Sequence, residues 1–180
     1  HVGGHAQGKQ ASGAHVVASS PAAPVLRTGE DAPADPQYGM HDAMQPVGVD
    51  VVVDNGDTVR TETATLTAIA TPGHTPGALS WAWQSCDPAG ECINIVYADS
   101  LSPISREGYR FADHPQYLAD FRAGLDRLRN VDCDLLLTPH PSASEMVKRA
   151  AGGSLIGGMS CTEYADAVEA RLAKRLAEEA

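Results

Sequence analysis

Three of the seven histidines stand where a strand-like run has just ended. His74 lies in Thr71-Pro72-Gly73-His74-Thr75-Pro76-Gly77, directly after the run 66–70, and His140 lies in Thr138-Pro139-His140-Pro141, after 135–137. His1 precedes Gly3-Gly4. An imidazole on a loop stiffened by proline and glycine is held rigid and open to solvent, which is what a metal ligand requires. One such histidine is more often structural; three in the same situation point to a metal centre. Asp99, in Tyr97-Ala98-Asp99-Ser100-Leu101-Ser102, occupies a further strand end. Its carboxylate could bridge two cations, or simply cap the next turn. Of the hydroxyls at Ser100 and Ser102, one could hold a metal-bound water and the other a substrate carboxylate. No G-x-S-x-G or S-x-x-K pattern supports a serine nucleophile. His5, His15, His41 and His114 read as ordinary, although His41 sits where it could line a cleft.

The elements that must carry these residues are legible from periodicity. Residues 3–13 suit a short helix or loop, and 14–18 a buried strand. The stretch 19–48 holds prolines and glycines and reads as one long loop, of the kind that often walls a site. Residues 49–53 form a strand pattern, and Asp54-Asn55-Gly56-Asp57 is a hairpin-turn signal. Residues 58–70 alternate as one half-buried strand, and 78–83 and 93–98 are two more. Trp81 and Trp83 share one face and are expected to pack a layer interface. Tyr117, Leu118, Phe121, Leu125 and Leu128 make an apolar helical stripe. Residues 134–138 suit a strand buried on both faces. A Ser160-x-x-Glu163 capping box opens a C-terminal helix with Ala165, Val168, Leu172 and Leu176 on one face. Strands followed by helix, strand and helix give an α/β layered chain.

With 180 residues and 43% hydrophobic side chains, the chain suits one domain, or a large part of one. The 13 basic and 23 acidic residues leave a charge of −10, which argues against a nucleic-acid or anionic-membrane partner. No apolar run reaches the roughly 18–20 residues of a membrane span. Four cysteines, Cys86, Cys92, Cys133 and Cys161, allow three pairings. The turn-rich Asp87-Pro88-Ala89-Gly90-Glu91 would bring Cys86 to Cys92, leaving Cys133 for Cys161. Two disulfides imply an oxidising compartment, the periplasm or the exterior; four buried thiols in a cytosolic protein are the alternative.

The segments His1-Val2-Gly3-Gly4, Pro72-Gly73-His74-Thr75-Pro76-Gly77, Tyr97-Ala98-Asp99-Ser100-Leu101-Ser102 and Cys133-Asp134-Leu135-Leu136-Leu137-Thr138-Pro139-His140-Pro141 together resemble the metallo-β-lactamase superfamily. They look most like the third subclass of the class B zinc β-lactamases, from residue 1 to about residue 175. The resemblance implies an αββα sandwich, here a single incomplete domain over 1–180 without its N-terminal strands. In the family a His-x-His-x-Asp-His segment precedes the Gly-Gly, and only its last residue is present, as His1. His74 would then complete a first zinc site with two absent histidines, and His1 and His140 a second with the absent Asp. By the same resemblance, Asp99 would orient ligands, Ser100 would bond a water on the second zinc, and Ser102 would meet the β-lactam carboxylate. Tyr109 would polarise the lactam carbonyl. A disulfide between Cys133 and Cys161 is a habit of the subclass. The implied activity is hydrolysis of a small-molecule β-lactam by a hydroxide shared between two Zn2+ ions, conferring antibiotic resistance, with this C-terminal portion inactive alone. The Gly-His-Thr-Pro-Gly motif is shared with lactone and thioester hydrolases, so those substrates are the alternative. A degenerate chain binding at most one metal through His74 and His140 is a third reading. Oligomeric state is not legible.

Overall fold

The computed structural model describes residues 2–180, so His1 lies outside the described residues. A short helix, α1 (His5–Ser12), leads to strand β1 (Val17–Ser19), which pairs in parallel with β2 (Val51–Val53). A second sheet has five strands in the order β3 (Thr58–Arg60), β4 (Thr65–Ala70), β5 (Leu79–Cys86), β6 (Cys92–Tyr97) and β7 (Leu135–Leu137). Its pairings are antiparallel except β6–β7, which is parallel because α3 (Pro115–Arg129) lies on the connection between them. After β7 come a 3-10 turn (Pro141–Ser144), α4 (Met146–Ala151) and α5 (Cys161–Glu178).

The two long helices cover one face of the larger sheet. Val96 and Leu136 project from the strands into a cluster with Phe121, Leu125 and Leu128 of α3 and Tyr164, Ala165, Val168 and Leu172 of α5. All are essentially inaccessible, as the apolar stripes require. Ala82 packs on the same cluster and pairs with Val96, so Trp81 and Trp83 point to the opposite face. There Trp81 is opposite Tyr97 and Trp83 opposite Ile95. Both tryptophans stay half-buried, and Trp81 borders the α1–β1 layer beside His5, Lys9 and Val16.

Several boundaries differ from the sequence reading. The 19–48 stretch contains a helix, α2 (Ala22–Thr28), with Ala23 and Leu26 buried. It closes on Gly29 in the left-handed conformation, φ 77°. The Asp54–Asp57 turn does not join a hairpin, since β2 pairs with β1 and β3 with β4. Instead it docks on β4: Gly56 N–H donates to Ala68 O, and Ala70 N–H to Asn55 Oδ1. The 58–70 run is two strands with a turn at Thr61–Ala64, where the Thr61 hydroxyl accepts the Ala64 N–H. Both disulfides form, Cys86–Cys92 closing the β5–β6 hairpin and Cys133–Cys161 tying the approach to β7 to the start of α5. The capping box is present: Ser160 Oγ accepts Glu163 N–H and Glu163 Oε2 accepts Ser160 N–H.

Candidate active site

The strand ends carrying His74, Asp99 and His140 all open on one cavity of about 630 Å³. The loop bearing His74 leaves β4 under tight restraint. Thr71 N–H closes on Ala78 O, and the Thr71 hydroxyl meets that of Ser80 in the interior, 2.9 Å away. At Gly73 a Cβ would enter the Phe121 ring, and at Gly77 it would come within 2.6 Å of the Ala22 backbone nitrogen. The two glycines of the motif are therefore points where a helix packs against bare main chain. Ser19 Oγ donates to Gly77 O, and the Tyr117 hydroxyl to Gly73 O.

His74 itself is held at ring and backbone. Its Nδ1 lies 2.9 Å from the carbonyl of Ser102. A carbonyl can only accept, so Nδ1 carries a proton and donates it. The Gln37 side chain donates to His74 O at 2.9 Å, linking the histidine to the long 29–50 wall. Residue 106 secures that wall: its N–H donates to Pro36 O and its guanidinium to Asp35 O.

Asp99 follows β6, and its Oδ1 accepts the Ser100 N–H at 2.7 Å. Its N–H donates to Ser80 Oγ and its carbonyl accepts from the Tyr164 hydroxyl. Burial pushes the Asp99 carboxyl above its ordinary range, opposed by the Ser100 N–H and the nearby His74. His140 follows β7, where the Thr138 hydroxyl donates to His140 O and contacts Ser144 Oγ, setting the turn.

The other expected residues are spread more widely. Neither Ser100, which is buried, nor Ser102, which is half-buried, lines the cavity; Ser102 meets His74 through its carbonyl. Tyr109 is buried, stacked on His114 with ring centroids 4.4 Å apart, with the Arg106 guanidinium 5.2 Å from its own centroid. Burial raises its phenol pKa. It lines no part of the cavity. His41 does line it, whereas His5 and His15 border the α1–β1 cleft. Of the wall's side chains, sequence reasoning singled out His41 alone. Asp31, Asp35 and Asp42 give it an acidic rim, and Val25, Leu26 and Met44 an apolar side. No lysine or arginine among the described residues joins them. Burial, reinforced by the neighbouring Asp31, raises the Asp35 pKa, against the Gln37 N–H, His74 and His41.

No protein-family model matches the chain. Solved structures do. The metallo-β-lactamase MIM-1 from Novosphingobium pentaromativorans superimposes with a TM-score of 0.93 at 43% identity, over 98% of this chain and 65% of its own. MIM-2, another metallo-β-lactamase, gives 0.91 at 49% identity, over 100% of this chain and 66% of its own. MEM-A1, a subclass B3 metallo-β-lactamase isolated from a soil metagenome library, gives 0.91 at 34% identity, over 98% and 70%. The chain belongs to the subclass B3 metallo-β-lactamases. It spans about two-thirds of the length of MIM-1 and MIM-2. In this B3 chain the donors lining the cavity are of the type a borderline cation takes: two imidazoles and a carboxylate. Among the described residues, however, no three His, Cys, Asp or Glu side chains converge on one point. A tightly held zinc ion ordinarily takes three or four protein ligands, more than these described donors supply at one point.

Proposed function

We propose that the protein is a zinc-dependent hydrolase of the β-lactam amide bond, a resistance enzyme, and that this chain supplies the downstream part of a two-zinc site. The observation that carries the reading is the opening of the His74 and His140 loops on one cavity in a chain 34–49% identical to metallo-β-lactamases. His74, His140 and His1 would hold zinc together with donors from a His-x-His-x-Asp segment ahead of His1. Bound zinc supplies Lewis acidity that lowers the pKa of water and polarises a carbonyl.

The chain's own side chains orient and enclose. Ser102 fixes the His74 tautomer through its carbonyl, and its hydroxyl is the group we assign to the substrate carboxylate. Ser100 holds the Asp99 carboxylate through its N–H and thereby the loop that faces the cavity. Tyr109 stacks on His114 and meets the Arg106 guanidinium, which in turn holds the Asp35 carbonyl of the wall. The α2 wall and Met44 keep water from the apolar part of the substrate. Two disulfides favour an oxidising compartment, periplasmic or external, and no described helix is long and apolar enough to cross a membrane.

The test is hydrolysis of a chromogenic cephalosporin by the product of the complete coding sequence, with and without chelator. Chelator-sensitive turnover is expected, and the codons before His1 should encode the missing His-x-His-x-Asp. Chelator-sensitive lactone or thioester cleavage without β-lactam turnover would overturn the substrate assignment. Two tightly bound zinc ions on the 180-residue chain would overturn the partial-site reading.

A further inference from the structure

Helix α3 runs along the end of β4 and the start of the His74 loop like a rail. Residues 117, 121, 124 and 127 recur at intervals of four, three and three, so they share one helical face. Each meets the main chain in turn. The Arg127 guanidinium donates to Ala70 O at 2.8 Å, and Gly124 lies so near that a Cβ there would stand 3.0 Å from Thr71 Cα. Phe121 fills the space beside Gly73, and the Tyr117 hydroxyl donates to Gly73 O at 3.0 Å. The first three contacts set the height of the helix above the strand. The fourth is different, because Gly73 O belongs to the peptide that enters His74.

We infer that Tyr117 is a positioning residue for His74: its hydroxyl fixes the Gly73–His74 peptide plane, and so the direction in which the imidazole enters the cavity. The inference rests on the proposed role of His74. Three elements then hold this one residue. Tyr117 restrains the peptide before it, Gln37 the carbonyl after it, and Ser102 O the ring at Nδ1. A peptide plane without its donor is free to tilt, and a small tilt at the backbone is magnified at Nε2, at the far side of the ring. Ring packing alone would need no hydroxyl, since phenylalanine fills the same volume. Burial raises the phenol pKa well above its usual value, so the group remains a donor at every working pH.

The test compares wild type with Tyr117→Phe. On metal-free protein, two-bond 1H–15N correlation of the imidazoles should show His74 with its proton on Nδ1. In Tyr117→Phe the His74 signals should shift or broaden while those of His5 and His15 stay in place. In the zinc-loaded product of the complete coding sequence, the zinc dissociation constant should rise roughly tenfold, as for other groups that orient a metal ligand from behind. On the same scale kcat should fall with little change in KM. Unchanged His74 signals with unchanged zinc affinity would overturn the inference. Should Tyr117→Phe not fold, Tyr117→4-aminophenylalanine, which keeps a donor, is set against Tyr117→4-fluorophenylalanine, which does not. Wild-type His74 signals only in the first are expected, and identical behaviour of the two would overturn the inference. The imidazole measurement uses no substrate. A shifted His74 spectrum beside absent β-lactam turnover would therefore leave the positioning role standing and remove only the proposed activity.

Discussion

The carbonyl of Ser102 accepts the Nδ1–H of His74 across 2.9 Å, joining the segment after β6 to the loop after β4. The side chain of Ser102 plays no part in that bond. Ser102→Ala should therefore keep the His74 tautomer and the zinc content of the complete protein. Its KM for a β-lactam should rise several-fold, roughly the loss of one hydrogen bond to a charged group. Zinc analysis together with steady-state kinetics separates the two effects. Loss of zinc in this variant would show that the hydroxyl itself supports the site.

Glycine is required at two positions of the His74 loop for steric reasons. Gly73→Ala forces a methyl group into the Phe121 ring, and Gly77→Ala forces one against the Ala22 backbone. Each should destabilise the fold by about 1–3 kcal/mol, the usual cost of overpacking. Gly73→Ala should be the worse, since it adds a strained φ of 153° to a closer clash with a fully buried ring. Denaturant unfolding of the two variants checks both the size and the order.

Acid should weaken one latch in particular. Glu179, with its side chain only 5% exposed, accepts the N–H groups of Phe111 and Ala112 and pairs with Arg175 at 2.9 Å. Burial alone would raise its pKa, but these N–H groups and the guanidinium outweigh it and hold the carboxyl below its usual value of 4.5. A depressed native pKa means the contribution is complete above the unfolded value of 4.5 and is lost as pH falls through the native one. The melting temperatures of wild type and Glu179→Gln should differ most near neutrality and converge below pH 4.5. A difference that grows on acidification would contradict this.

The two disulfides should contribute unequally. Cys133–Cys161 spans 28 residues and Cys86–Cys92 only 6. The chain-entropy argument gives about 3–4 kcal/mol for the longer loop and about 2 kcal/mol for the shorter. Paired cysteine-to-alanine variants, unfolded under identical conditions, test the ranking.

The acidic rim formed by Asp31, Asp35 and Asp42 should select among substrates by charge. A penicillin with an ammonium group on its acyl side chain should be favoured over one with a carboxylate there, by roughly a few-fold at screened, partly exposed separations. Asp31→Asn with Asp42→Asn should narrow that ratio, and high salt should narrow it in wild type. Equal kcat/KM for the two penicillins at low salt would refute the idea.

What could be read in advance divides along physical lines. The helices were visible because Phe121, Leu125 and Val168 repeat at the helical period and Ser160 and Glu163 form a local cap. The strand ends bearing His74, Asp99 and His140 were visible because proline, glycine and short apolar runs are local signals. Pairing partners were not. Asp54–Asp57 has hairpin chemistry, yet β1 captured β2 from a distance and the turn docked on β4 instead. Helix α2 was hidden by prolines, which a first helical turn tolerates. The rim aspartates and Tyr117 gained their positions from tertiary packing, for which no short-range pattern exists.

Trp81 and Trp83 are the only tryptophans in the chain, and both lie on the sheet face turned away from α3 and α5. Tryptophan emission is thereby confined to a single face of the larger sheet. Whatever settles on that side will move the emission maximum to shorter wavelength, while events among the helices leave the colour unaltered. The protein thus carries its own optical gauge of how that surface is covered.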